Sequence, residues 1–77
     1  MNTIKYDWDE FEEKIIPKET SPIQRQEMKR SFYAGIQSIL FKQIELSDLD
    51  EDAAVAELDK IHKECNEFFD GVAKGVN

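Results

Sequence analysis

The residues best suited to chemistry in this sequence are one histidine, one cysteine, an acidic turn and a basic cluster. His62 and Cys65 are three residues apart, a spacing that places both on one face of a helix and is compatible with metal ligation. Two ligands are too few for a structural zinc site, and the apolar seam around them favours packing in a core. Cys65 as a nucleophile would need a positioned base and an oxyanion site. We therefore expect no catalytic residue, no metal site and no cofactor.

The aspartates of the acidic turn are a candidate calcium site. Asp48, Asp50, Asp52 and Asp59 are spaced like ligands of a calcium loop, but the position that needs glycine holds Ala53. The same acids are explained by the start of a helix, where negative charge is favourable.

The basic cluster lies in the longest helical pattern and gives the best candidate for a binding surface. The candidate ligand- or partner-binding residues are Arg25, Gln26, Lys29, Arg30, Tyr33 and Gln37. Gln26, Arg30, Tyr33 and Gln37 follow one face of a helix. Guanidinium, phenol and amide groups in one line suit a phosphate, a carboxylate or a base edge. The alternative is an ordinary solvated face, with Glu19 and Glu27 pairing with the basic residues.

The charge of the whole chain limits its partners. Its 77 residues include 17 Asp and Glu against 10 Lys and Arg, a formal net charge of −7. This balance opposes direct binding to nucleic acid and to anionic membranes. It suits a protein that meets basic surfaces, but solubility alone explains it and is the favoured interpretation.

Length and cysteine content indicate one domain, residues 1–77, in a reducing compartment. Cys65 is the only cysteine and no export signal is visible, which predicts a cytoplasmic protein. No apolar run approaches the roughly 18 residues of a membrane span. A core this small is marginal, which favours oligomerisation or tight helix packing.

Apolar periodicity predicts three helices. The first covers about residues 7–16, with Asp7 as N-cap, Trp8, Phe11 and Ile15 as its apolar stripe, and Pro17 ending it.

The two longer helices cover about residues 21–45 and 51–73. Ser21 followed by Pro22 is a strong start for the second helix. Ser47 and Asp50 have the spacing of a capping box, Asp50 is an alternative N-cap for the third helix, and Gly71 and Gly75 supply its stop.

Two long helices joined by a short turn predict an antiparallel hairpin, and the first helix is expected to lie across one side of it. Apolar faces this broad favour self-association into a helical bundle, most simply a homodimer. Gly35 in a helix interior would let another helix approach or leave room for a ligand, and close packing is the favoured interpretation. The expected interface residues are Phe32, Gly35, Ile36, Ile39, Leu40, Phe68 and Phe69.

The stretch QRQEMKRSFYAG, from Gln24 to Gly35, resembles a helix in small phage and prophage proteins of uncharacterised function. The segment from Ile61 to Glu64 and Phe68 resemble the second half of those proteins, so the similarity spans Ile16 to Phe69. The resemblance implies a phage-encoded protein, located in the cytoplasm of the host cell, and brings no active site. It also implies binding of a host factor, including components or signals of antiviral defence.

Three functions follow as hypotheses. The first is a non-catalytic phage-type protein that self-associates and antagonises a host defence factor by protein–protein contact. The second is an oligomeric protein that sequesters an anionic or nucleotide-like small ligand. The third is a structural or assembly protein.

Overall fold

Three α-helices and no β-strand make up the computed structural model, which describes every residue of the chain. The helices are α1 (Ile4–Lys14), α2 (Pro22–Ser47) and α3 (Glu51–Ala73). The predicted all-α fold with three helices in this order is confirmed. None of the three combines the length and apolar composition that a membrane crossing requires.

The chain divides into two compact units, Met1–Leu40 and Phe41–Asn77. The first contains α1 and most of α2, and the second contains the last turns of α2 and all of α3.

Helix α1 begins earlier than the sequence predicts. Thr3 is its N-cap, with φ −75° and ψ 163°, and the Thr3 hydroxyl accepts a hydrogen bond from the Tyr6 N–H at 3.1 Å. Asp7 lies inside the first turn, where its charge suits the helix dipole. The predicted cap at Asp7 is therefore wrong, and α1 begins three residues before and ends two residues before the predicted bounds 7–16, because the Thr3 hydroxyl caps the helix at the Tyr6 N–H.

The core of the first unit is an aromatic cluster that joins α1 to α2. Trp8 is 2% exposed, and its ring centroid lies 5.4 Å from that of Phe32 and 5.9 Å from that of Phe11. Ile16, after the end of α1, is the other buried apolar residue. Ile15, predicted to belong to the apolar stripe, is 65% exposed because α1 ends before it.

Helix α2 begins as the sequence predicts. The Ser21 hydroxyl accepts from the Gln24 N–H at 3.2 Å, and the Gln24 side chain accepts from the Ser21 N–H at 3.4 Å. This reciprocal pair is a capping box, with Pro22 at the first helical position, where its missing N–H costs nothing. The helix then runs two residues beyond the predicted end, to Ser47.

Helix α3 matches its predicted bounds because both ends carry strong signals. The Asp50 carboxylate accepts from the Ala53 N–H at 2.8 Å. At the other end Gly75 has φ 78°, and the N–H groups of Gly75 and Val76 donate to the carbonyls of Val72 and Gly71, each at 3.0 Å. These two bonds form a Schellman motif. A turn over residues 48–50 joins α2 to α3, as the predicted hairpin requires.

The apolar seam of α3 is not buried within the chain. His62 and Cys65 are exposed, as are Val55 at 51% and Phe69 at 66%. The expected core packing of this seam is therefore wrong for the single chain. Within its unit, α3 has only residues 41–47 of α2 to lie against.

Candidate functional site

A shallow groove in the first unit brings together half of the predicted binding residues. It has a volume of about 540 Å³ and lies along one face of α2, with Ile4 from α1 on its side. Its lining residues are Ile4, Arg30, Tyr33, Ala34, Ile36, Gln37 and Leu40. The spacing of the six α2 residues follows the helical repeat, so a single regular helix presents them together.

Arg30 is the only charged residue that lines the groove. Its guanidinium lies 3.2 Å from the carboxylate of Glu27, and both side chains are about two-thirds exposed, at 67% and 64%. An ion pair this exposed contributes between about 0 and 1 kcal/mol. The guanidinium can therefore exchange Glu27 for an anionic ligand at little cost.

Tyr33 and Gln37 supply the other polar groups of the groove. Tyr33 is 38% exposed, and its ring lies 6.2 Å from that of Phe32 in an edge-on arrangement, which ties it to the aromatic cluster. Ile36 and Leu40 provide apolar surface beside them. One cation, one phenol and one amide around an apolar strip can bind a ligand that has both an anionic group and a flat apolar body.

A second cation lies close to this groove. Lys5 follows Ile4, and its ammonium donates to the Asp9 carboxylate at 3.0 Å. This hydrogen bond, with the Coulombic attraction of Asp9, raises the pKa of Lys5 above 10.5, and a smaller contribution comes from Tyr33. Lys5 therefore stays protonated throughout the physiological pH range.

Arg25 is not part of the groove, although it belongs to the predicted set. Its guanidinium donates to the backbone carbonyls of Pro17 at 2.8 Å, Thr20 at 3.2 Å and Lys18 at 3.3 Å. It also lies 3.5 Å from the carboxylate of Glu12 on α1. With its side chain only 26% exposed, Arg25 holds the α1–α2 connection in place and has few donors left for a ligand.

Gln26 and Lys29 are exposed on α2 and do not line the groove. The two residues are thus available to solvent but are not brought together with Arg30 and Tyr33.

The predicted interface residues fall into two groups. Phe32 is half-buried against Trp8 and Phe11, so it is already used within the first unit. Ile36 and Ile39 are also half-buried, and Leu40 is 52% exposed. A methyl group added at Gly35 would meet nothing within 4 Å, so no helix of this chain approaches closely there.

Phe68 and Phe69, the remaining interface candidates, lie on α3. They are 53% and 66% exposed, and their rings contact each other edge to face with centroids 5.6 Å apart.

Ile4 is a groove residue that the sequence reasoning missed. The predicted first helix begins at about residue 7, which places Ile4 outside any helix. Its spacing to Trp8 and Phe11 continues the α1 stripe backwards by one turn, and Thr3 before it is a helix-capping residue. These two signals could have found it.

No family model matches the chain, and neither the curated proteins nor the solved structures give a significant match. The groove and the exposed apolar surface are the features of the chain that bear on its function.

Proposed function

We propose that this chain is a small, non-catalytic, phage-type binding protein that self-associates and antagonises a host defence factor by protein–protein contact. The observation that carries the proposal is the shortage of core: only Trp8 and Ile16 are buried among the large apolar residues. Apolar side chains exposed by half or more include Leu40, Phe41, Ile44, Val55, Phe68 and Phe69.

The total exposed area supports self-association. The chain exposes 6728 Å². A folded monomer of its mass, 9.0 kDa, is expected to expose about 4,900 Å². The excess is larger than the roughly 800 Å² that each partner buries in a standard interface. Burial against copies of itself, or against another protein, would remove much of this surface from water.

Two measurements test this proposal. Light scattering at increasing protein concentration should give a mass above that of one chain, most simply twice it. An affinity pull-down from a bacterial lysate should then enrich a defence-related protein, and that enrichment should be lost when Phe68 and Phe69 are both changed to Asp. A variant with Lys63→Glu controls for a charge change on the same helix. A wild type that stays monomeric, with no defence-related protein enriched by it or by the Lys63→Glu control, would overturn the proposal.

The groove at Arg30 favours a second candidate function, sequestration of an anionic, nucleotide-like small ligand. The supporting observation is the grouping of Arg30, Tyr33 and Gln37 around an apolar strip. In this second candidate function, the host factor that the chain antagonises is a small signalling molecule of antiviral defence and not a protein. A purely structural role has no comparable observation in its favour.

Calorimetry with inorganic phosphate, mononucleotides and cyclic dinucleotides tests the second candidate. Binding should weaken about ten- to hundredfold in Arg30→Ala, because a charge-assisted hydrogen bond is lost. Lys29→Ala is the matched control, since it removes the same charge from the same helix outside the groove. Equal losses in the two variants would indicate general charge attraction, and no binding of any probe would exclude sequestration of these ligands.

A further inference from the structure

A cleft in the second unit has a charged rim that the proposed function does not use. It lies between the end of α2 and the first half of α3, with a volume of about 450 Å³. Leu46, Leu49 and Ile61 form its apolar part. The charged residues around it are Lys42, Glu45, Glu57, Lys60 and Glu64.

Some of these charges are satisfied within the chain and others are not. Lys60 lies 2.9 Å from Glu57. None of the ion pairs in the chain includes Lys42 or Glu45. These two opposite charges are three residues apart on α2, beside Phe41 and Ile44, which are 60% and 65% exposed. The end of α2 therefore presents an exposed apolar patch that carries one free cation and one free anion.

We propose that this patch is the contact surface between two copies of the chain, with Lys42 of each copy paired with Glu45 of the partner subunit. The inference rests on the self-association in the proposed function and names the surface that performs it.

Two-fold symmetry explains why the second copy is the occupant that fits. In a two-fold interface between antiparallel helices, a residue that lies a given number of positions before the crossing point in one copy faces the residue that lies the same number of positions after it in the other copy. Two antiparallel α2 segments that cross between residues 43 and 44 place position 42 opposite position 45. A lysine and a glutamate at these positions are then complementary in both directions. A strongly acidic or strongly basic partner would instead face one like charge.

The apolar residues fit the same arrangement. Ile44, next to the crossing, would lie beside its symmetry equivalent, and Phe41 would lie opposite Leu46 of the partner subunit. Their exposed rings and methyl groups would supply the apolar centre of the interface, and the two Lys42–Glu45 pairs would lie at its rim. Rim charges of this kind fix register and partner choice more than they add affinity.

Charge reversal tests the pairing by sedimentation velocity on the full chain. Each single variant, Lys42→Glu or Glu45→Lys, places two like charges opposite each other at both of the symmetry-related pairs. We therefore expect association to be at least about tenfold weaker in each. A 1:1 mixture of the two variants should recover association as a heterodimer. The double variant, which keeps the net charge and restores complementarity, should associate as the wild type does. Lys29→Glu controls for net charge, and circular dichroism checks that each variant folds.

The outcomes separate this inference from the proposed function. If the wild type associates and both single variants associate equally well, self-association stands and this surface is wrong. If the single variants dissociate but the mixture does not recover, the Lys42–Glu45 pairing is wrong. A wild type that stays monomeric at all concentrations overturns both the inference and the proposed self-association.

Discussion

At the scale of residues, two arginines five positions apart on α2 have opposite roles. Arg25 donates to three backbone carbonyls of the α1–α2 connection and faces Glu12. Arg30 is exposed, pairs only with Glu27 and lines the groove. The basic cluster of the sequence therefore contains one structural cation and one that is free for binding.

This difference predicts that Arg25→Ala lowers the free energy of unfolding by about 1–3 kcal/mol, because carbonyls that accept from a charged donor lose it. Arg30→Ala should change it by less than about 1 kcal/mol, since its ion pair is exposed. Urea denaturation at one fixed protein concentration measures both. Equal effects of the two substitutions would contradict the structural role of Arg25.

The sequence predicted which residues of α2 share a face, but it did not predict which other parts of the chain each of them contacts. Helical spacing grouped Gln26, Arg30, Tyr33 and Gln37, and the last three line one groove whereas Gln26 does not. Helical spacing carries no information about the connection between α1 and α2, in which the backbone carbonyl of Pro17 accepts a hydrogen bond from Arg25. Ligand binding at the groove stays a prediction.

At the scale of elements, capping chemistry decides which boundaries could be predicted. Helix α3 was placed correctly because Asp50 and Gly75 act locally and each satisfies free backbone groups. Helix α1 was misplaced because its sequence offers two capping residues, Thr3 and Asp7, and only the first is used. Two such signals four residues apart cannot be ranked without the contacts of the turn between them.

Two glycines, one inside α2 and one just beyond the end of α3, give a matched test of backbone effects. Gly35→Ala should stabilise the chain by about 1 kcal/mol, because Gly35 lies inside α2 and an added methyl meets nothing within 4 Å. Gly75→Ala should destabilise it by about 1–2 kcal/mol, since φ 78° is unfavourable for a residue with a side chain. Thermal unfolding followed by circular dichroism measures both.

Gly35→Ala also tests its predicted place in the interface. If another copy packs closely against Gly35, the substitution should weaken association while it stabilises the helix. A stabilised variant with unchanged association would show that no close approach occurs there.

At the scale of the whole molecule, stability should depend on protein concentration. A chain with two buried large apolar residues has little core of its own, so burial between copies should supply part of its stability. We expect the midpoint of thermal unfolding to rise with concentration in the wild type. In Lys42→Glu the same rise should require at least about tenfold higher concentration, because its association is weaker. A wild-type midpoint that does not move would argue against stabilisation by association.

Trp8 gives the protein an internal optical reporter. It is the only tryptophan of the sequence, and it is buried in the first unit. Its fluorescence therefore follows the docking of α1 alone, whereas far-ultraviolet circular dichroism follows the helices of both units. If the two units lose structure independently, the fluorescence and circular dichroism transitions will have different midpoints. If α2 couples the units into one cooperative transition, the two curves will coincide.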